Sequence, residues 1–180
     1  KVIDNLLNKV DALIIGGGMA YTFLKAEGKT IGSSKLDKDG FDTARAALDK
    51  AQKKNIPILL PIDHVVGDKF DRNAETQVVG DNIPDGWMGL DIGPKTIKFF
   101  EDTLKIAKTI VWNGPLGVFE MDKFAKGTED IAKYIAALKG VVSIIGGGDT
   151  AAAIAKFKVE DKMSHISTGG GASLEYLEGK

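Results

Sequence analysis

The stretch IIGGGDTAAAIA, residues 144–155, decides how the rest of the chain is read. It follows Val141-Val142-Ser143, so a β-branched apolar run meets three glycines, then Asp-Thr, then an alanine-rich segment of high helix propensity. The order predicted is strand, tight loop, helix. Glycines in such a loop allow positive φ and leave no Cβ between the helix's first N–H groups and an incoming anion. Asp149 has two readings. It is either an N-cap of the helix or a carboxylate that meets phosphate through a cation.

The pattern recurs. ALIIGGGMAYTFLKAEG (12–28) runs from apolar strand through three glycines into a helix stopped by Gly28, and SHISTGGGASLEYLEG (164–179) repeats it near the end. Ligands of open α/β sheets sit at the carboxyl ends of strands, where such loops gather. Three of them, starting at Gly16, Gly146 and Gly169, with NGPLG (113–117) as a fourth, point to a phosphate or nucleotide crevice.

Between these motifs, residues 2–10 form a helical pattern with Val2, Leu6, Leu7 and Val10 on one face. DGFDTARAALDKAQKKN (39–55) is predicted helical with Phe41, Ala44, Ala47, Leu48 and Ala51 inward. A short strand, ILL, lies between Pro57 and Pro61, and a second, HVV, covers 64–66. Residues 67–94 read as a long loop of the kind that is usually functional. A helix over 95–108, the strand TIVW (109–112) and an amphipathic helix over 123–140 follow, the last with Ile131, Tyr134, Ile135 and Leu138 on one face. Strands alternating with helices imply right-handed crossovers. The expected fold class is α/β, a three-layer α/β/α Rossmann-like domain with a mainly parallel sheet, and residues 1–180 are expected to form that one domain.

Composition narrows the chemistry. The 180 residues include no cysteine and two histidines, which excludes disulfides, thiolate sites and cysteine nucleophiles and disfavours a His-rich zinc centre. The formal net charge of −1 gives no sign of nucleic-acid or membrane affinity, and no apolar run is long enough to span a bilayer. The chain starts inside a helical pattern without Met and stops at Leu-Glu-Gly-Lys, so a fragment is expected.

Two familiar motifs fail. Gly28-Lys29-Thr30 resembles the end of a P-loop, but Phe23 stands where that motif needs glycine. The Gly146, Gly148, Ala151 spacing loosely matches a dinucleotide fingerprint, yet the acids nearest the next strand, Glu160 and Asp161, read as loop residues. VWNGPLGVFE (111–120) is more informative: Asn113 could reach a phosphate, Val118 could wall a base pocket and Glu120 could accept ribose hydroxyls. Against these stand an Asx-turn for Asn113 and a solvated acid for Glu120. Trp87, Trp112, His64 and His165 read as packing residues, and Ser167, Thr168 and Ser173 as capping ones.

Five strings, LIIGGGMAYTFLKAEG (13–28), IPDGWMGLDIGP (83–94), TIVWNGPLGVFE (109–120), SIIGGGDTAAAIAKF (143–157) and SHISTGGGASLEYLEGK (164–180), together resemble the carboxyl-terminal half of the phosphoglycerate kinase family. The resemblance implies the ADP/ATP-binding half of a two-domain glycolytic enzyme. That enzyme transfers a phosphoryl group reversibly from 1,3-bisphosphoglycerate to MgADP, giving 3-phosphoglycerate and MgATP. It implies Gly16, Gly17, Phe70, Leu90 and Val118 at adenine, Glu120 at ribose and Asn113 at the phosphates. Gly148, Asp149 and Thr150 would meet the phosphate chain, with Asp149 nearest Mg²⁺, and Pro115, Gly117 and Gly147 complete the set. Gly169, Gly170 and Gly171 would be the catalytic glycines, presenting N–H groups to the moving phosphoryl group.

The implied partners are ADP/ATP here and 3-phosphoglycerate or 1,3-bisphosphoglycerate through an amino-terminal domain that the chain lacks. A cytoplasmic monomer without nucleic-acid or membrane partners is expected, and turnover by the chain alone is not. The family's Gly-Gly-Ala-Lys-Val type segment is also missing. His64 stands where the family more often has an apolar or aromatic residue, and Gly67 where it more often has alanine. A non-catalytic nucleotide-binding module and an NAD-dependent oxidoreductase are the alternatives, the second opposed by the missing acid.

Overall fold

A computed structural model describes residues 2–167. The first layer of regular structure is α1 (Val2–Leu6), β1 (Leu13–Ile14), α2 (Gly18–Ala26), α3 (Phe41–Lys54) and β2 (Ile58–Leu59). β1 and β2 pair in parallel, Leu13 opposite Ile58 and Ile14 opposite Leu59. The helices bury small and apolar side chains against them: Phe23 and Leu24 from α2, and Ala44, Ala47 and Ala51 from α3. Alanines at a spacing of three and four let α3 approach α2 closely, and Asn55, left-handed at φ 57°, ends it. The inward face expected for α3 is borne out, with Phe41 and Leu48 half-buried at its margin.

The interval expected to be a loop, 67–94, carries two strands joined by turns. β3 (His64–Gly67) lies between β4 (Thr76–Val79) and β5 (Met88–Ile92), antiparallel to both, with an irregular register between Val65 and Val66. TQVV has two exposed polar positions and MGLDI carries Gly and Asp, so neither reads as a strand locally. Their pairing with β3 supplies what propensity does not. The reading of residues 67–94 as unstructured is therefore corrected.

The second parallel unit joins β6 (Thr109–Asn113), β7 (Val142–Gly146) and β8 (His165–Ser167) in that order. Asn113 pairs with Gly146, and Gly146 with Ser167, so the strands end level and their following loops emerge on one side. α4 (Pro94–Leu104), α5 (Lys126–Ala137) and α6 (Gly148–Lys156) accompany them. Ile97 and Phe100 from α4, Ile131 and Ile135 from α5, Ile145 and Ile154 form the second core. Tyr134 and Leu138 flank it half-buried, as their helical spacing predicts. Glu160 and Asp161 lie in a 3-10 turn before β8, off the strand as expected.

The chain is α/β with mainly parallel strands, as expected from the sequence. Among the described residues no strand hydrogen-bonds β1–β2 to β6–β8. Packing joins them instead: Ala12 and Ile14 lie against the core that holds Trp112 and Leu116.

Candidate nucleotide cleft

The loops at the carboxyl ends of β1 and β6 meet. A Cβ added at Gly16 would strike the Leu116 side chain, and one at Gly17 would stand 2.6 Å from the Pro115 carbonyl oxygen. Gly17 also has φ 68°, so glycine is required there twice over. Gly147, at φ 90°, occupies the same place before α6 that Gly17 does before α2. Each is the N-cap of its helix, and neither helix has a side-chain cap. The first N–H groups of both helices are thus open to an anion.

Five hydrogen bonds shape the loop that follows β6. Trp112 Nε1–H donates to the Gly114 carbonyl at 2.7 Å, and Gly114 N–H donates to Thr150 Oγ1 at 2.6 Å. Leu116 N–H donates to Thr128 Oγ1 at 3.1 Å, and Val118 N–H to the Leu90 carbonyl at 2.9 Å. Lys156 Nζ donates to the Phe119 carbonyl at 2.7 Å. The loop is therefore tied to β5, α5 and α6 at once.

The result is a cleft of about 360 Å³ between Gly17 and Gly18 on one side and Met88, Leu90 and Val118 on another. That volume lies in the range of small-molecule sites. Of the residues singled out in the sequence, the cleft brings together Gly17, Phe70, Leu90, Pro115, Gly117, Val118, Glu120 and Asp149. Phe70, 62% exposed, stands at its rim. Asp149 is exposed in the first turn of α6 and does not cap it, which removes its capping explanation.

Gly16, Asn113, Gly147, Gly148 and Thr150 do not line the cleft. Gly16 backs it through Leu116, while Asn113 Oδ1 lies 3.0 Å from where a Cβ of Gly147 would be. Thr150 is 1% exposed and holds the Gly114 amide, so its place is beneath the loop. Gly169, Gly170 and Gly171, like Thr168 and Ser173, lie outside the described residues.

The sequence reading missed Tyr21, Lys35 and Gly89, which also line the cleft. Gly89 was legible in principle, since glycine inside a strand often marks a close approach. The Tyr21 ring occupies the space a Cβ would need there. Burial, reinforced by the charge of Asp91, holds the Tyr21 hydroxyl well above its ordinary range, so it stays protonated. Lys35 is brought in because Ser34 Oγ accepts the Gly89 amide at 2.8 Å and Ser33 N–H donates to the Trp87 carbonyl at 2.8 Å. A second hollow, about 420 Å³, lies among Glu27, Arg45, Asp49 and Gln52. Among the described residues, no glycine loop or helix N-terminus lines it, so its size does not make it the better site.

The family model described as Phosphoglycerate kinase matches residues 1–180. The chain belongs to the phosphoglycerate kinase family. It is 59% identical to a phosphoglycerate kinase of Acidobacterium capsulatum, covering 100% of this chain and 45% of that protein. It is 58% identical to the cytosolic phosphoglycerate kinase 3 of Arabidopsis thaliana, covering 99% and 45%. The solved phosphoglycerate kinase structure from Coxiella burnetii superposes with a TM-score of 0.94 at 45% identity, over 99% of this chain and 46% of that one. That from Pyrococcus horikoshii gives 0.81 at 31%, over 99% and 45%. The chain thus spans about 45% of the length of the curated relatives it matches.

Proposed function

We propose that residues 1–180 form the single nucleotide-binding domain of a two-domain phosphoglycerate kinase, a cytoplasmic, monomeric enzyme of glycolysis. The observation that carries this reading is the cleft itself, where apolar Leu90 and Val118, Glu120, and the helix N-termini behind Gly17 and before Asp149 converge at strand ends. Leu90, Val118 and Phe70 hold the adenine face, and Glu120 accepts the ribose hydroxyls. The phosphates extend from Asp149 past the cleft lining to the amides at the start of α6 and to Asn113, which stands beside Gly147.

Among the described residues no group of three His, Asp or Glu could hold a metal ion unaided. Mg²⁺ bound to nucleotide phosphates needs only one or two protein carboxylates. Exposed, uncapping Asp149 fits that part. When bound, Mg²⁺ would neutralise charge on the phosphate oxygens. The chain's own residues orient the nucleotide and offer N–H donors, with Gly169, Gly170 and Gly171 proposed to face the phosphoryl group. The partner, the acyl phosphate 1,3-bisphosphoglycerate or the carboxylate 3-phosphoglycerate, would be brought by the amino-terminal domain that the family resemblance implies.

The test is calorimetric titration with Mg-ADP, with NAD as control. Saturable binding of Mg-ADP and no heat with NAD is expected. Asp149→Ala should weaken Mg-ADP binding at least tenfold while changing metal-free ADP binding about twofold or less, a difference near 1 kcal/mol. Equal losses in the two titrations would remove Asp149 from the metal site.

A further inference from the structure

Asp91 is fully buried directly behind the cleft wall, one residue after Leu90. Its Oδ2 accepts the Gly127 amide at 2.9 Å and its Oδ1 accepts the Ile92 amide at 2.9 Å. Two glycines make room for it. A Cβ at Gly117 or at Gly127 would collide with Oδ1, with Cγ of Asp91 only 2.7 Å away in the first case. No ion pair accompanies the carboxylate among the described residues; two amides are its only hydrogen-bond donors there. A buried carboxylate held only by neutral donors is costly, and such groups cluster at functional sites.

Its contacts run straight to the wall. Gly127 is followed by Thr128, whose Oγ1 holds the Leu116 amide, and Gly117 and Val118 come next in the cleft lining. Val118 in turn is bonded to Leu90. We propose that Asp91 is a positioning residue whose ionised carboxylate clamps β5, the Gly117–Val118 wall and the first turn of α5 into the nucleotide-binding arrangement. This rests on the reading of the cleft as a nucleotide site.

Protonation would loosen the clamp, because a carboxyl O–H turns one of two acceptors toward an N–H donor. Burial raises the Asp91 pKa to about 7, against the lowering effect of the two amides. The charged and titratable groups facing it are Lys126 and Asp130 from α5 and Tyr21 from α2; Lys126 opposes the rise and Asp130 adds to it. The ionised clamp is therefore present above about pH 7 and lost as pH falls through it.

The experiment uses the full 180-residue chain. Mg-ADP affinity is measured for wild type and Asp91→Asn at pH 8 and pH 6, with circular dichroism to check folding. Titration of the nucleotide's own phosphate is common to both and cancels in their ratio. The ratio of dissociation constants, variant over wild type, should be near ten at pH 8 and fall to about two by pH 6, where most of the wild-type carboxylate is protonated. A ratio that is the same at both pH values marks a merely structural residue and overturns the proposal.

The second readout needs no variant. In the wild-type chain, the amide resonances of Gly127, Ile92 and Val118 should shift together with a midpoint near pH 7. Independent or absent shifts overturn the proposal even if the variant fails to fold. If these amides titrate together but ADP binds at no pH, the nucleotide reading fails and the clamp itself stands supported.

Discussion

His64 shows how one residue can run against its surroundings. It sits on β3 with 0% exposure, its ring 5.7 Å from that of Tyr21, and neither ring nitrogen has a hydrogen-bond partner among the described residues. Burial pulls its pKa down to about 4, although Asp63 and Asp81 pull the other way. The sign of the consequence follows: the unfolded chain takes up the proton near pH 6.5 and the folded chain only near 4, so stability is lost as pH falls through that window. His64→Leu, apolar and close in volume, removes the titration. Urea unfolding at pH 7 and pH 4.5 should show the variant losing about 1–3 kcal/mol less than wild type on acidification. An equal loss would assign the acid limb to other groups. Gly67, the other departure from the family pattern, has a clear local reason. A Cβ there would stand 2.9 Å from Leu90 Cδ1, so glycine leaves the cleft wall its room.

At the scale of elements, the start of α4 is the best-defined junction. Gly93 is its N-cap without a side chain to offer, and Asp63 from the turn before β3 supplies the cap from a distance. Its carboxylate accepts the Lys95 amide at 3.0 Å, the Thr96 amide at 2.8 Å and the Thr96 hydroxyl at 2.6 Å. A Cβ at Gly93 would collide with that carboxylate. Asp63→Ala should therefore destabilise the fold by about 1–3 kcal/mol, read as a lower urea midpoint with an unchanged slope. Loss within a few tenths of a kcal/mol would mean that water replaces the cap. The same scale explains what local reading missed. Asp63 lies 33 residues from Thr96, and β4 and β5 are strands only because β3 runs between them. Helices α2, α3 and α5 were legible because each carries its own apolar face.

For the whole molecule, the expectation is that Mg-nucleotide binding and catalysis separate. The chain spans about 45% of its curated relatives, and the cleft it contains offers one cation, Lys35, among its lining residues. A coupled assay with 1,3-bisphosphoglycerate and Mg-ADP should give no turnover above background from the isolated chain, while calorimetry shows ADP binding. Turnover by the 180-residue chain alone would overturn the two-domain reading. The sequence by itself determined the α/β class, the family and the glycine loops at strand ends. Each of these is written in contiguous residues: a β-branched run, glycines whose φ must be positive at Gly17 and Gly147, and an alanine-rich helix. Only the tertiary structure decided which of those residues share the cleft. It put Thr150 beneath the loop, brought Lys35 and Tyr21 to the site, and enclosed Asp91 between Gly117 and Gly127. Those outcomes depend on contacts between residues 26 or more positions apart, such as Asp91 and Gly117, where packing and desolvation act and local propensity is silent.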